Sequence, residues 1–368
     1  MPRSLAGNPP HLNALIRQDA LSHATRSASE QRWAEESVFL SRSGYALRPR
    51  YQANWKPSWN LEENLDMDPS SCEDYWPSSV SDPDLMDAVD ATGRAVCIKR
   101  VRTESVECQI LEKFKELRDD PRNHCVELLA TLSDPEHPDI TYLIMPLLQR
   151  VDNPWFETVG EVVDFIGQML EGLTFLHGHD VAHRDVDMWN VLMDAGALFP
   201  NGYHPMMPVL DPTATQRALV LPRRHARIKY FFIDFELSTL VTYPHHINKY
   251  VLGGFGRDQT VPELSFIKPY DAFKVDIYAL GNLFKRNFYK EYSNFDWLLP
   301  LIESMTATVP EDRPEAVVAE TFWEHLVESR PLDLSAKLTK RISRPPTLIE
   351  RTVALGRRVV NWFSEFQG

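Results

Sequence analysis

The sequence predicts an α+β protein of two lobes, a small strand-rich one followed by a larger, mainly helical one. Between Leu85 and Met145 the apolar residues fall in short runs bounded by turns, and after Asn153-Pro154 they recur at helical spacing. Strands first and helices later is the order of an α+β chain. The boundary is expected near Leu147–Asn153. Composition agrees: of 368 residues, 43% are hydrophobic and 25% charged, the balance of a globular chain. Disorder over most of the length is excluded.

Residues 1–79 form an N-terminal extension, polar and punctuated by turns, in which only residues 28–42 read as helix. Its tryptophans Trp33, Trp55, Trp59 and Trp76 are too many for a free tail, so part of it should pack on the main domain. The main domain is expected over 80–330. Leu85–Val89 and Arg94–Lys99 read as strands about a turn at Ala91-Thr92-Gly93. Val106, Ile110, Phe114 and Leu117 make a helical stripe. Two more strands follow, around Val126–Leu132 and Ile140–Met145. Val159–His177 is helical through Val162, Phe165, Ile166, Met169, Leu173 and Leu176. After a short strand-rich stretch, the chain from about Pro262 reads mainly as helix. Residues 331–368 are expected to be a C-terminal helical extension. Its stripe of Val353, Val360 and Phe363, interleaved with both charge signs, suits docking on the protein's own surface.

Charge excludes several partners. Lys+Arg 39 against Asp+Glu 52 leaves −13, which argues against a nucleic-acid coat. The basic run Pro222–Lys229 reads as a solvated loop entering a strand. His245-His246 lacks companion ligands for a metal, and Gly253-Gly254-Phe255-Gly256 reads as turns. Four cysteines without a CxxC pair argue against a disulfide framework or zinc knuckle. There is no apolar run of membrane-spanning length and no signal-peptide core at the start, so an intracellular protein, cytoplasmic or nuclear, is expected.

The sharpest motif is His183-Arg184-Asp185-Val186-Asp187-Met188-Trp189-Asn190, between a long helix and a strand. Phosphoryl transfer needs a carboxylate to accept a hydroxyl proton and an amide oxygen to bind a metal ion, and Asp185 and Asn190 share one loop. Other elements stand in order around it: Ala95-Val96-Cys97-Ile98-Lys99, then Phe232-Ile233-Asp234-Phe235, Val261-Pro262-Glu263, Asp276 with Gly281, and Arg313. Together, over about residues 85–330, they resemble the eukaryotic protein kinase domain. The run Gly44–Tyr51 and an insertion at 195–228 look like the divergent kinase-like proteins of mushroom-forming fungi.

That resemblance implies a bilobal protein-kinase-like fold, with an N-lobe over 80–147 and a C-lobe over 148–330. It implies ATP and Mg2+ as cofactors and a protein substrate with Ser or Thr hydroxyls. Lys99 would grip the phosphates and Glu107 would hold Lys99. Glu107 is preferred over Glu104 because it shares a helix face with Ile110 and Leu111. Asp185 would be the base, and Asn190 and Asp234 the magnesium ligands. Leu85, Cys97, Met145, Leu147 and Leu192 would enclose the adenine. Leu111, Leu128, His183 and Phe235 would stack between the lobes, Glu263 would pair with Arg313, and Asp276 would anchor the catalytic loop.

Three features depart from the family pattern. No glycine stands at Ser78, Val80 or Pro83, where a phosphate loop is expected, and Asp82 and Asp84 would face the phosphates. Asp187 replaces the usual lysine, and Glu236 replaces the glycine after Phe235. A pseudokinase scaffold is therefore the alternative to an active kinase. A small-molecule kinase of this fold is disfavoured by Val261-Pro262-Glu263 and Arg313.

Overall fold

Helix α1 (Pro10–His23) and helix α2 (Ala28–Arg42) precede the sheet in the computed structural model, which describes residues 4–77, 82–242 and 248–341. Helix α2 occupies the expected span, started by Ser27 in a capping box with Glu30. Helix α1 was not anticipated. Its only buried residue is Ala20, while Leu12, Leu15 and Leu21 stay exposed, so no apolar stripe announces it. Its remaining signal is a proline in the first turn.

The sheet has five antiparallel strands in the order β1-β2-β3-β5-β4. They are β1 (Tyr45–Leu47), β2 (Leu85–Asp90), β3 (Ala95–Arg102), β4 (Ala130–Asp134) and β5 (His137–Pro146). Side chains alternate across it. Met86, Ala88, Val96, Ile98, Tyr142 and Ile144 pack on Trp33, Leu40, Leu47 and Tyr51 from α2 and the segment after it. Burying each Met, Val, Ile or Leu among them is worth roughly 1.5–3 kcal/mol. The other face, with Cys97, Leu143 and Met145, looks towards helix α3 (Val106–Lys115) and the main core.

That core is built around α4 (Val159–Gly178), capped by Thr158 and Glu161, with α5 (Ala272–Phe284), α6 (Leu299–Met305) and α7 (Ala316–Glu328). Small strand pairings carry the loops between them. Strand β8 (Val191–Met193) lies between β6 (Gln149–Arg150) and β9 (Tyr230–Phe232), and β7 (Val181–Ala182) pairs with β10 (Thr239–Leu240). The architecture is mixed α+β.

Three expectations need correction. The stretch after Pro262 is not at once helical: β12 (Ser265–Asp271) pairs with β11 (Tyr250–Gly253), and helix starts at Ala272. The fourth strand starts at Ala130 rather than Val126. Residues 331–341 run without helix, bridged to Thr158 and Tyr292, and the expected helix at 348–366 lies outside the described residues. So do Ser78, Val80 and His245-His246.

Candidate functional site

Lys99 reaches the site because of its strand parity. Its neighbours Ile98 and Val96 are fully buried on the opposite face, so Cys97 and Lys99 turn together towards α3. Helix α3 starts at Ser105, whose hydroxyl accepts from the Cys108 amide at 3.3 Å. This places Glu107 in the first turn on the face that buries Ile110, Leu111 and Phe114. Glu104 lies before the helix with φ of 67° and takes no part.

The Lys99 ammonium lies 2.8 Å from Glu107 Oε2 and 2.8 Å from Asp234 Oδ1. Burial alone would depress its pKa, but the two carboxylates outweigh it and hold Lys99 above the ordinary lysine range. Burial pushes Glu107 up, and Lys99 offsets this only in part. Asp234 goes the other way: burial would raise it, yet Lys99 outweighs burial and keeps it low. Asp234 has φ of 64°, a strained conformation for a non-glycine residue, and the next amide, Phe235 N–H, donates to Glu107 at 3.2 Å. Phe235 is fully buried with its ring 5.0 Å from His183. Leu111 and Leu128 are buried in the same core.

The His183–Asn190 segment is clamped by a buried carboxylate. Asp276, with no exposed surface, accepts the His183 amide at 2.7 Å, the Arg184 amide at 2.6 Å and His177 Nε2 at 3.0 Å. Asn190 Nδ2 donates to Asp185 Oδ2 at 2.7 Å and to the Asp185 carbonyl at 2.9 Å. Asp187 accepts the Trp189 amide at 3.1 Å, so its carboxylate caps a turn of the same loop. Arg313 forks onto Glu263 at 2.5 and 2.8 Å.

Lys99, Glu107, Asn190 and Asp234 line one cleft of about 310 Å³ together with Leu85, Cys97, Met145, Leu147 and Leu192. Asp185 borders it through Asn190. Burial, reinforced by Asp87, pushes the Cys97 thiol up to about 12, so it stays protonated and apolar in character. Of the two acidic residues expected to repel phosphates, Asp82 lines the cleft, but Asp84 does not stand unpaired. Arg32 bridges Asp84 at 2.7 Å and Arg100 at 3.1 Å, which removes much of that repulsion.

Among the described residues, no group of three or more His, Cys, Asp or Glu side chains could hold a metal ion. The donor set suits magnesium shared with a nucleotide instead. Asn190 commits its amide nitrogen to Asp185, leaving the amide oxygen free, and Asp234 has a second carboxylate oxygen besides the one on Lys99. Two hard oxygens with the remaining positions given to phosphate and water is how magnesium is commonly held.

A larger cleft of about 890 Å³ lies on the far side of Pro146–Leu148, between the extension and residues 194–213. Its wall carries a buried ion chain, Arg48 to Asp87 at 2.7 Å and to Glu73 at 3.2 Å. The residues expected from the sequence, Lys99, Asp234 and Asn190, line the smaller cleft instead.

Two structurally engaged arginines escaped sequence reading. Arg223, in the run expected to be solvated, is only 3% exposed and donates to the carbonyl of Pro154 and the hydroxyl of Tyr230. Arg257 lines the smaller cleft, its backbone amide donating to Asp185 Oδ1 at 2.5 Å. No motif flags it. The signal available was an arginine set among turn glycines a few residues before Glu263.

No protein-family model matches the chain. Cyclin-dependent kinase D-1 of Arabidopsis thaliana is similar to it, 25% identical over 246 residues, which is 63% of this chain and 53% of that protein. The match thus spans about half the length of the plant protein. That distant similarity, together with the α+β architecture, supports a protein-kinase-like domain.

Proposed function

We propose that the chain is an ATP-dependent protein kinase, of the divergent type found in mushroom-forming fungi, transferring the γ-phosphoryl group to Ser or Thr hydroxyls. The observation that carries this reading is the Lys99–Glu107–Asp234 cluster, with both bridges at 2.8 Å, beside the Asp185–Asn190 pair at 2.7 Å. These groups come from a strand, a helix and two loops and meet at one cleft. In this reading the domain is bilobal, with lobes over 80–147 and 148–330.

Lys99, held by Glu107, donates to the phosphates, and the adenine lies among Leu85, Cys97, Met145, Leu147 and Leu192. Asn190 fixes the Asp185 carboxylate, which keeps lone pairs to accept the substrate hydroxyl proton. The hydroxyl oxygen bonds to the γ-phosphorus, and the bridging oxygen leaves with ADP. Magnesium, held by Asn190 and Asp234, would neutralise charge on the phosphates. All four cysteines are free, which suits a reducing interior, and no helix among the described residues is long and apolar enough to cross a membrane.

The test is ATP binding with and without magnesium, then autophosphorylation of wild type against Asp185→Asn. Magnesium-strengthened binding and label lost in the variant support the kinase. Equal label in both sinks it. A second reading, a pseudokinase scaffold, is favoured by Asp187, which puts a carboxylate where the family has lysine. It predicts nucleotide binding without label in either protein.

A further inference from the structure

Carboxylates crowd the smaller cleft. Asp82, Glu107 and Asp234 line it and Asp185 borders it, against two cations, Lys99 and Arg257. Lys99 is committed to Glu107 and Asp234. Arg257 is paired only loosely. Among the described residues its guanidinium donates no hydrogen bond, and its nearest carboxylate, Asp185, is 3.9 Å away. Its side chain is 51% exposed. Among the described residues none of its five N–H donors is taken by a hydrogen bond, and the head lies beside the carboxylate assigned as base.

The backbone around Arg257 is fixed. Gly256 has φ of +116°, and a Cβ there would meet the Arg184 carbonyl at 3.0 Å, so glycine lets the chain turn against the catalytic loop. Gln259 Nε2 holds the carbonyls of Gly254 at 3.1 Å and Gly256 at 2.6 Å. On the other side Asp258, 6% exposed, accepts from Asn282 at 2.8 Å and Thr260 at 2.7 Å. An arginine with a pinned backbone and a head free of hydrogen bonds to the described residues, at the mouth of this cleft, is placed to receive an anion.

We infer that Arg257 binds the terminal phosphate of the nucleoside triphosphate, supplying from residues 248–263 the positive charge that Asp187 cannot. The inference rests on the phosphotransfer reading. As the hydroxyl oxygen attacks and the bridging oxygen departs to the β-phosphate, Arg257 meets the charge on the transferring oxygens while Asp185 takes the proton.

The experiment compares wild type, Arg257→Ala, Arg257→Lys and Asp185→Asn. It measures calorimetric affinity for ATP and for ADP, each with magnesium, and autophosphorylation rate. The hydrogen bond to Asp185 comes from the Arg257 backbone amide, so truncating the side chain removes only the long 3.9 Å ion pair, and the comparison of ATP with ADP reads the phosphate contact separately. The expected result is that Arg257→Ala weakens ATP about tenfold while leaving ADP within about twofold, and slows transfer by about 10²-fold or more. Arg257→Lys should fall between. Equal ATP and ADP affinities in wild type and Arg257→Ala, with label lost in Asp185→Asn, overturn the inference and leave the kinase standing. No label in wild type, with ATP preference lost in Arg257→Ala, keeps the phosphate contact and removes the kinase. A wild type that binds neither nucleotide overturns both. A parallel loss of ATP and ADP overturns the γ-phosphate assignment.

Discussion

Replacing Lys99 with methionine keeps most of the length of the side chain and removes the charge that two carboxylates share. At 2.8 Å, each bridge is worth about 6 kcal/mol of gross attraction at an effective dielectric near 20. The Asp234 partner is 35% exposed, so water screens its share. The Glu107 bridge is the costly one, with side chains 4% and 11% exposed, and removing one partner of such a buried pair costs about 3–5 kcal/mol. Glu107 would then keep one donor, the Phe235 amide at 3.2 Å, and would escape its isolation by taking up a proton. A folded pKa raised above the ordinary 4.5 makes stability fall as pH rises from that value through the raised one. Wild type has a mild form of this slope, because burial already raises Glu107. Its Lys99 contribution is intact below the ordinary 10.5, and its Asp234 contribution is intact above the ordinary 3.8. Lys99→Met should therefore steepen the slope. Urea unfolding followed by tryptophan fluorescence, at about pH 5.5 and about pH 8, should show the larger deficit at the higher pH. Lys99→Met with Glu107→Gln should recover much of it there. A deficit equal at both pH values and untouched by the second substitution would refute the reasoning.

Three other substitutions or reagents probe separate parts of the site. Glu263→Ala strands Arg313, whose side chain has no exposed surface, and should cost about 3–5 kcal/mol by scanning calorimetry, with Glu263→Gln losing less. Gly256→Ala forces a Cβ to within 3.0 Å of the Arg184 carbonyl at φ of +116°, so it should cost about 1–3 kcal/mol and lower transfer by moving the Arg257 amide off Asp185. Cys97, partly buried and with its thiol pushed up to about 12, should be alkylated by iodoacetamide far more slowly than a free thiol at pH 8, and a rate equal to that of glutathione would contradict the raised pKa.

What the sequence disclosed, it disclosed through local patterns. Strand parity put Cys97 and Lys99 on one face, the helical stripe oriented Glu107, and the spacing within one loop joined Asp185 to Asn190. What it hid depends on distant partners. The residues after Pro262 form a strand because Tyr250 and Val251 lie opposite Asp271 and Tyr270, a pairing absent from local propensity. Arg223 reads as a solvated cation until Val151, Pro154 and Tyr230 are seen to wrap it. Asp84 reads as a repulsive carboxylate until Arg32, far back in α2, closes on it. Helix α1 buries too little to leave a stripe.

The back of the sheet is closed by α2, and this bears on what counts as one folding unit. Trp33 is fully buried there and its indole N–H reaches the Pro83 carbonyl at 3.0 Å, while β1 adds an edge strand beside β2. Arg50, 1% exposed, locks onto Glu30 beneath them. The segment bearing Lys99 and Glu107 is therefore not modular. A polypeptide trimmed to residue 80 would bare Met86, Ala88, Val96, Ile98 and Ile144 to water, a greasy face prone to self-association. Any exchange of this half between chains, by recombination or by design, has to carry residues 28–51 with it.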